Sequence, residues 1–106
     1  MEESKALKRL KDKLTKENLW LYVIKELSER PMYAYQVKVS LREKYGINVA
    51  TVTVYTVLYK MEREGLIVKV RSGDDKLYTP TERGLEQFKL GLDFIREVSE
   101  KLRGVS

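Results

Sequence analysis

The sequence of 106 residues contains no cysteine and no histidine. Without cysteine there are no disulfides, no thiolate nucleophile and no thiol redox sensor. With histidine also missing, Cys/His zinc sites and imidazole acid–base catalysis are excluded. A metal site built from carboxylates alone stays open, but no acidic cluster has the spacing for one. Proline occurs twice and glycine six times, so few positions punctuate the chain. Asparagine and glutamine occur twice each, and this scarcity beside many charges is a mix associated with heat-adapted proteins. No segment approaches the roughly 18 apolar residues of a membrane span, and the opening Met1-Glu-Glu-Ser-Lys5 lacks the features of a signal peptide. The expectation is a cytoplasmic protein with no membrane association, no cofactor and no metal. It is also expected not to be an enzyme: no nucleophile–base pair or phosphate loop is present.

What is present is charge. Lys and Arg number 21 against 16 Asp and Glu, a net charge of +5 with a pI of about 9.4. The excess sits mainly before residue 48 and slightly in residues 66–80. Such a surplus is consistent with phosphate contact, although a merely solvated surface would look similar. The hydrophobic share of 42% suffices for one small core. A chain of this length makes one domain, or one domain with a terminal extension, and dimerisation would cover surface the small core leaves open. There is no internal repeat and no low-complexity run.

The stretch from Thr51 to Val70 organises the rest. Val54, Leu58 and Met61 fall at i, i+4 and i+7, one apolar face of a helix over 51–64 ended by Gly65. Thr53, Thr56, Tyr59, Lys60 and Arg63 lie away from that face. A helix presenting hydroxyls, a phenol and cations suits the major groove of DNA, while a core helix with an ordinary polar outer face would read the same. Residues 66–70 then alternate as a half-buried strand, 71–75 carry turn signals, and 76–79 return as a second strand. This hairpin places Lys69, Arg71 and Lys76 near its tip.

Before this stretch, residues 3–13 predict a basic amphipathic helix whose Leu7, Leu10 and Leu14 make a narrow stripe. That stripe needs a partner, in this subunit or another; the other readings are a frayed tail or a membrane-surface helix, which would lack an aromatic anchor. Thr15 is a candidate cap for a helix over about 16–30, stopped by Pro31. Trp20 widens its apolar face, as a core residue or a ligand platform. A third helix runs from Met32 to Tyr45, with Gly46 as its left-handed terminator. Tyr33, Tyr35 and Gln36 crowd its first turn, where amides and hydroxyls can hold phosphate. Two helices joined by a short glycine-containing turn form a helix-turn-helix, or equally the hairpin of an unrelated bundle. Followed directly by the hairpin, they predict a winged helix.

The last helix starts at Thr79–Glu82, with Thr79 or Thr81 as the cap, and runs to about Leu102 before Gly104. Leu85, Phe88, Leu92, Ile95, Ser99 and Leu102 form a heptad seam with one polar break, and Gly91, Phe94 and Val98 a second stripe. One stripe can pack on the domain and the other on a second subunit, or both can be buried within the monomer. The expected division is a winged helix-turn-helix domain over 1–80, including the N-terminal helix, and a C-terminal dimerisation helix over 81–106. The fold class is mostly α with a small β-hairpin and flanking dimerisation helices. The dimer interface is expected from Leu7, Leu10, Leu14, Leu85, Phe88, Leu92, Ile95 and Leu102.

Three blocks give the chain its resemblance to a known family. Pro31-Met-Tyr-Ala-Tyr-Gln-Val37 is similar to a GPLHGYEI opening, and Thr53 through Ile67 to TIYPALKRLEKEGLI. Lys76 through Gly84 is similar to RKYYRLTEKG. Over roughly residues 19–88 the sequence resembles the PadR family of winged-helix transcription regulators. It departs where the family His-Gly is Tyr33-Ala34, where the family proline is Thr56, and in a short wing tip. The resemblance implies a homodimer built on the N- and C-terminal helices, DNA binding, often repression, and in some members a small-molecule pocket at the dimer interface. It also implies that Tyr35 and Tyr55 match family DNA contacts.

The resulting expectation is a homodimeric, sequence-specific DNA-binding regulator, a repressor, with helix 51–64 in the major groove and the 66–79 wing on the backbone. Thr51, Thr53 and Thr56 would lie near bases, with Tyr59, Lys60 and Arg63 further along. Lys69, Arg71 and Lys76 would straddle the backbone or minor groove, and Tyr33 and Gln36 would hold phosphate. A small aromatic effector would sit near Trp20 and Phe94 in an interface cavity. The alternatives are a weakly selective architectural DNA binder and a winged-helix adaptor that binds protein.

Overall fold

In a computed structural model, described over residues 2–73 and 75–104, five helices surround a three-stranded sheet. Asp74 and the side chains of Arg71 and Ser72 lie outside the described residues. The helices are α1 (Lys5–Leu14), α2 (Leu19–Glu29), α3 (Ala34–Tyr45), α4 (Thr51–Arg63) and α5 (Glu82–Arg103). The strands are β1 (Met32–Tyr33), β2 (Ile67–Ser72) and β3 (Asp75–Pro80), all antiparallel, with β3 in the centre. The class is the expected one, mostly helical with a winged helix-turn-helix. The hairpin, however, is part of a larger sheet. Met32 pairs with Tyr78 and Tyr33 with Leu77, so two residues read as the start of a helix form an edge strand instead. Tertiary pairing with β3 outweighs the local helical rhythm there.

The core is where the predicted faces meet. Val23, Ile24 and Leu27 of α2 pack with Val37 and Leu41 of α3, Val54, Leu58 and Met61 of α4, and Ile67 and Tyr78 of the sheet. Gly46 takes a left-handed φ of 66° and closes α3, as its sequence position suggested. Thr15 does not cap α2: its hydroxyl turns back to donate to the Lys11 carbonyl at 2.7 Å, and a short 3-10 turn at Lys16–Asn18 intervenes. Thr81 rather than Thr79 caps α5, accepting the Gly84 N–H at 3.0 Å, because Thr79 is held in β3 opposite Val68.

The joint between α4, β2 and α5 is tightly made. The Thr81 N–H donates to the Leu66 carbonyl at 3.0 Å, and the Thr81 hydroxyl donates to the Gly65 carbonyl at 2.6 Å. The Arg83 Nε donates to the Glu64 carbonyl at 3.2 Å. Gly84 lies so close to Leu66 that a Cβ would overlap its carbonyl.

A second fixture joins α2 and α3. Glu26 is fully buried, and the Tyr45 hydroxyl donates to its Oε2 at 2.8 Å. The Lys44 ammonium lies 3.0 Å from the other oxygen, Oε1, and 3.2 Å from Glu29. Oε1 has no well-aligned hydrogen bond, so its contact with Lys44 is chiefly Coulombic. Those carboxylates hold Lys44 above its ordinary pKa, and Lys44 with Lys25 holds Glu29 below its own. Tyr45 keeps part of its ring at the surface but turns its hydroxyl inward. Burial first, then the bond to Glu26, pushes it up to about 12. The Tyr22 ring meets Tyr45 edge-on at 5.0 Å, and the Tyr22 hydroxyl donates to the Leu14 carbonyl at 2.6 Å, tying the end of α1 to this fixture.

Two outcomes test these fixtures. Gly84→Ala should cost about 1–3 kcal/mol in urea unfolding, because the backbone of the joint must move to admit the methyl. For Tyr45, a raised folded pKa means that its contribution is complete below the unfolded value near 10. It is lost as pH rises toward 12. Tyr45→Phe should cost about 1–2 kcal/mol at neutral pH and should flatten the loss of stability between pH 10 and 12, read from melts across that range.

Candidate nucleic-acid interface

The outward side of α4 is built by the same periodicity that buries Val54, Leu58 and Met61. Residues half a turn away must face solvent. Val52, Thr56, Tyr59 and Arg63 form the centre of that exposed stripe, flanked by Tyr55 and Lys60. The Arg63 guanidinium lies 5.7 Å from the centre of the Tyr59 ring, so the two are held as a cation–π pair. Thr53 is half-buried at the stripe's edge. Thr51 faces α3, where its hydroxyl accepts from Lys38 at 2.8 Å. The Thr56 hydroxyl donates to its own helix, at the Val52 carbonyl, over 2.9 Å.

The start of α3 and the wing meet this helix. Tyr33, Tyr35, Tyr55, Lys76 and Tyr78 line one cleft of about 520 Å³, together with Ala34 and Asp75. Tyr35 and Tyr55 are exposed at its mouth, while Tyr78 is buried beneath. Burial raises the Tyr78 pKa, with Glu62 and Tyr55 adding to the shift, so its phenol stays neutral. Gln36 is occupied: its side-chain oxygen accepts the Tyr33 N–H at 2.8 Å and caps α3.

The wing's cations differ in availability. Lys69 pairs with Glu62 of α4 at 3.4 Å, which neutralises part of its charge. Lys76 is exposed and has no ion pair among the described residues. Arg71 is placed in β2 opposite Lys76, but its side chain is outside the described residues. Of the thirteen residues proposed from sequence, then, four share the cleft. Thr56, Tyr59, Lys60 and Arg63 share the outward face, and Thr51, Gln36 and Lys69 have their polar groups engaged within the protomer.

The leucine stripes lie at the other end. Leu10, Leu14, Phe94, Ile95, Val98 and Leu102 line an apolar groove of about 560 Å³ between α1 and α5, and Leu7 and Leu92 are exposed. Helix α1 buries none of its residues in the protomer. Phe88 is partly buried against the protomer's own core, while Leu85 stays exposed. Trp20 and Phe94 line different cavities, Phe94 the groove just described. Trp20 packs against Gly91 and lines a separate pocket of about 410 Å³ with Lys60, Glu64 and Arg83. Among the described residues, no helix is long and apolar enough to cross a membrane.

Sequence reasoning passed over Val52, which is 70% exposed. The signal was available: Val52 stands opposite the face of Val54 and Leu58 and one turn before Thr56. The Lys38–Thr51 bond carried no such signal, because it depends on how closely α3 and α4 approach.

The fold is shared by solved regulators. A PadR family transcriptional regulator from Eggerthella lenta is 22% identical, with 93% of this chain and 90% of that one covered and a TM-score of 0.77. A PadR-like regulator from Bacillus cereus is 23% identical over 84% and 91%, with a TM-score of 0.71. A transcriptional regulator from Clostridium thermocellum is 16% identical over 97% of each chain, with a TM-score of 0.75. Among curated proteins none is a significant sequence match. The sequence does match the profile of the transcriptional regulator PadR-like family over residues 23–90, from the middle of α2 into α5. The chain therefore belongs to the PadR-like family of transcriptional regulators, winged-helix DNA-binding proteins rather than enzymes.

Proposed function

We propose that the protein is a homodimeric repressor that binds a pseudo-palindromic operator with α4 in the major groove and the β2–β3 wing against the backbone. The observation that carries this reading is the uncovered stripe of α4, bordered by the cleft that Lys76 enters from the wing. In this arrangement Thr53, Thr56, Tyr59, Lys60 and Arg63 approach the bases and the groove walls. Tyr35 and Tyr55 border the cleft beside the first turn of α3, where hydroxyls and backbone amides favour a phosphate. Lys76 then follows the strand on the far side. Arg71, opposite it in β2, belongs to the same proposal.

Dimerisation is supported by the apolar groove between α1 and α5, which the protomer leaves open. A second copy laying its own α1 and α5 against Leu10, Leu14, Val98 and Leu102 would remove these side chains from water. A two-fold dimer sets its two α4 helices on successive turns of one duplex face, on the order of 34–36 Å apart. Repression follows from occupancy, since a dimer across two major grooves excludes other proteins from that stretch. The division into a DNA-binding part over 1–80 and a dimerisation helix over 81–106 is part of the same proposal.

Selection from a random duplex library at near-physiological salt should enrich a pseudo-palindrome with half-sites about one helical turn apart. Even retention of all duplexes would replace the specific regulator with an architectural binder, and no retention would favour a protein-binding adaptor. Lys76→Ala should weaken binding to all duplexes alike and lower the salt slope by about 1. An unchanged slope would remove Lys76 from the phosphate contacts.

A further inference from the structure

We propose that α4 reads thymine chiefly by its C5 methyl group, with Val52 and the methyl of Thr56 as the reading pair. This rests on the preceding placement of α4 in the major groove. Three observations carry it. First, the leading two turns of α4, residues 51–58, contain no arginine, lysine, amide or carboxylate. The side chains that make bidentate contacts to guanine, adenine or cytosine edges are therefore missing where a recognition helix meets the bases. Second, two of the three threonine hydroxyls in this stretch, those of Thr51 and Thr56, are engaged. Thr51 accepts from Lys38 at 2.8 Å, and Thr56 donates to the Val52 carbonyl at 2.9 Å, which commits the Thr56 proton to its own helix and leaves its exposed side chain a methyl and an acceptor oxygen. Third, Val52 is 70% exposed at the centre of the outward stripe, one turn from Thr56, and it has no packing role in the core.

An exposed apolar pair of this kind has one apolar counterpart in the major groove, the thymine methyl. Cations begin only at Lys60 and Arg63, further along the same face, where they approach the groove wall rather than the first bases contacted. The cations then contact phosphates and position the helix, and the methyl contacts supply discrimination. The operator half-site should carry T·A pairs under the first two turns of α4.

The test replaces thymine with uracil at each position of the selected half-site, which removes one methyl and leaves every hydrogen-bonding group in place. The expected result is a loss of about fourfold in Kd per contacted methyl at one or two adjacent positions. Val52→Ala and, separately, Thr56→Ser should each abolish the uracil effect at one of these positions. Both should keep the wild-type salt slope, because no charge changes, and both side chains are exposed, so melting temperatures should be unchanged. Equal binding of thymine and uracil duplexes throughout would overturn the inference while leaving the regulator reading intact. Full uracil sensitivity retained in both variants would also overturn it. Failure to retain any duplex would overturn the regulator reading itself, and this inference with it.

Discussion

The joint between the turn at 64–66 and the start of α5 is the constraint on which the geometry of this protein depends. Three successive carbonyls, of Glu64, Gly65 and Leu66, are left over where α4 ends, and three donors from Thr81 and Arg83 receive them. The negative end of one helix dipole meets the positive end of the next. Gly84 allows the two backbones to approach, since any side chain there would occupy the place of the Leu66 carbonyl. The direction of α5 relative to α4 is thereby fixed within a few residues of both helices.

That relation links the two ends of the molecule. Helix α4 carries the surface proposed to meet DNA, and α5 carries the stripe proposed to meet a second copy. Helix α2 lies between them, with Val23, Ile24 and Leu27 in the shared core and Trp20 and Leu21 closing on Gly91 of α5. The Glu26–Tyr45–Lys44 cluster then fixes α3 to α2, and the Tyr22 hydroxyl fastens the end of α1 to the same place.

The candidate DNA surface owes little to a strong field. Of the 21 cations, Lys69 is paired with Glu62 and Lys44 with Glu26 and Glu29, while Lys38 keeps its charge and donates to Thr51. What remains around α4 is a set of apolar and aromatic groups with cations at one end of the helix and on the wing. Such a surface gains from close shape fit more than from long-range attraction, which salt at physiological strength screens beyond about 8 Å.

The sequence by itself determined which segments are helices, the buried face of α4, the glycine stop of α3, and the order of elements that makes a winged helix. These follow from periodicity and left-handed glycines, which act over a few residues. Only the tertiary structure decided the rest. The Met32–Tyr33 strand exists because β3 lies beside it, and Thr81 caps α5 because Thr79 is held in the sheet. Phe88 is partly buried against the protomer's own core, and the Thr51 hydroxyl is held by Lys38 of α3. In each case spacing assigns a side chain to a face of its own element. Which neighbour that face meets depends on residues far away in the chain.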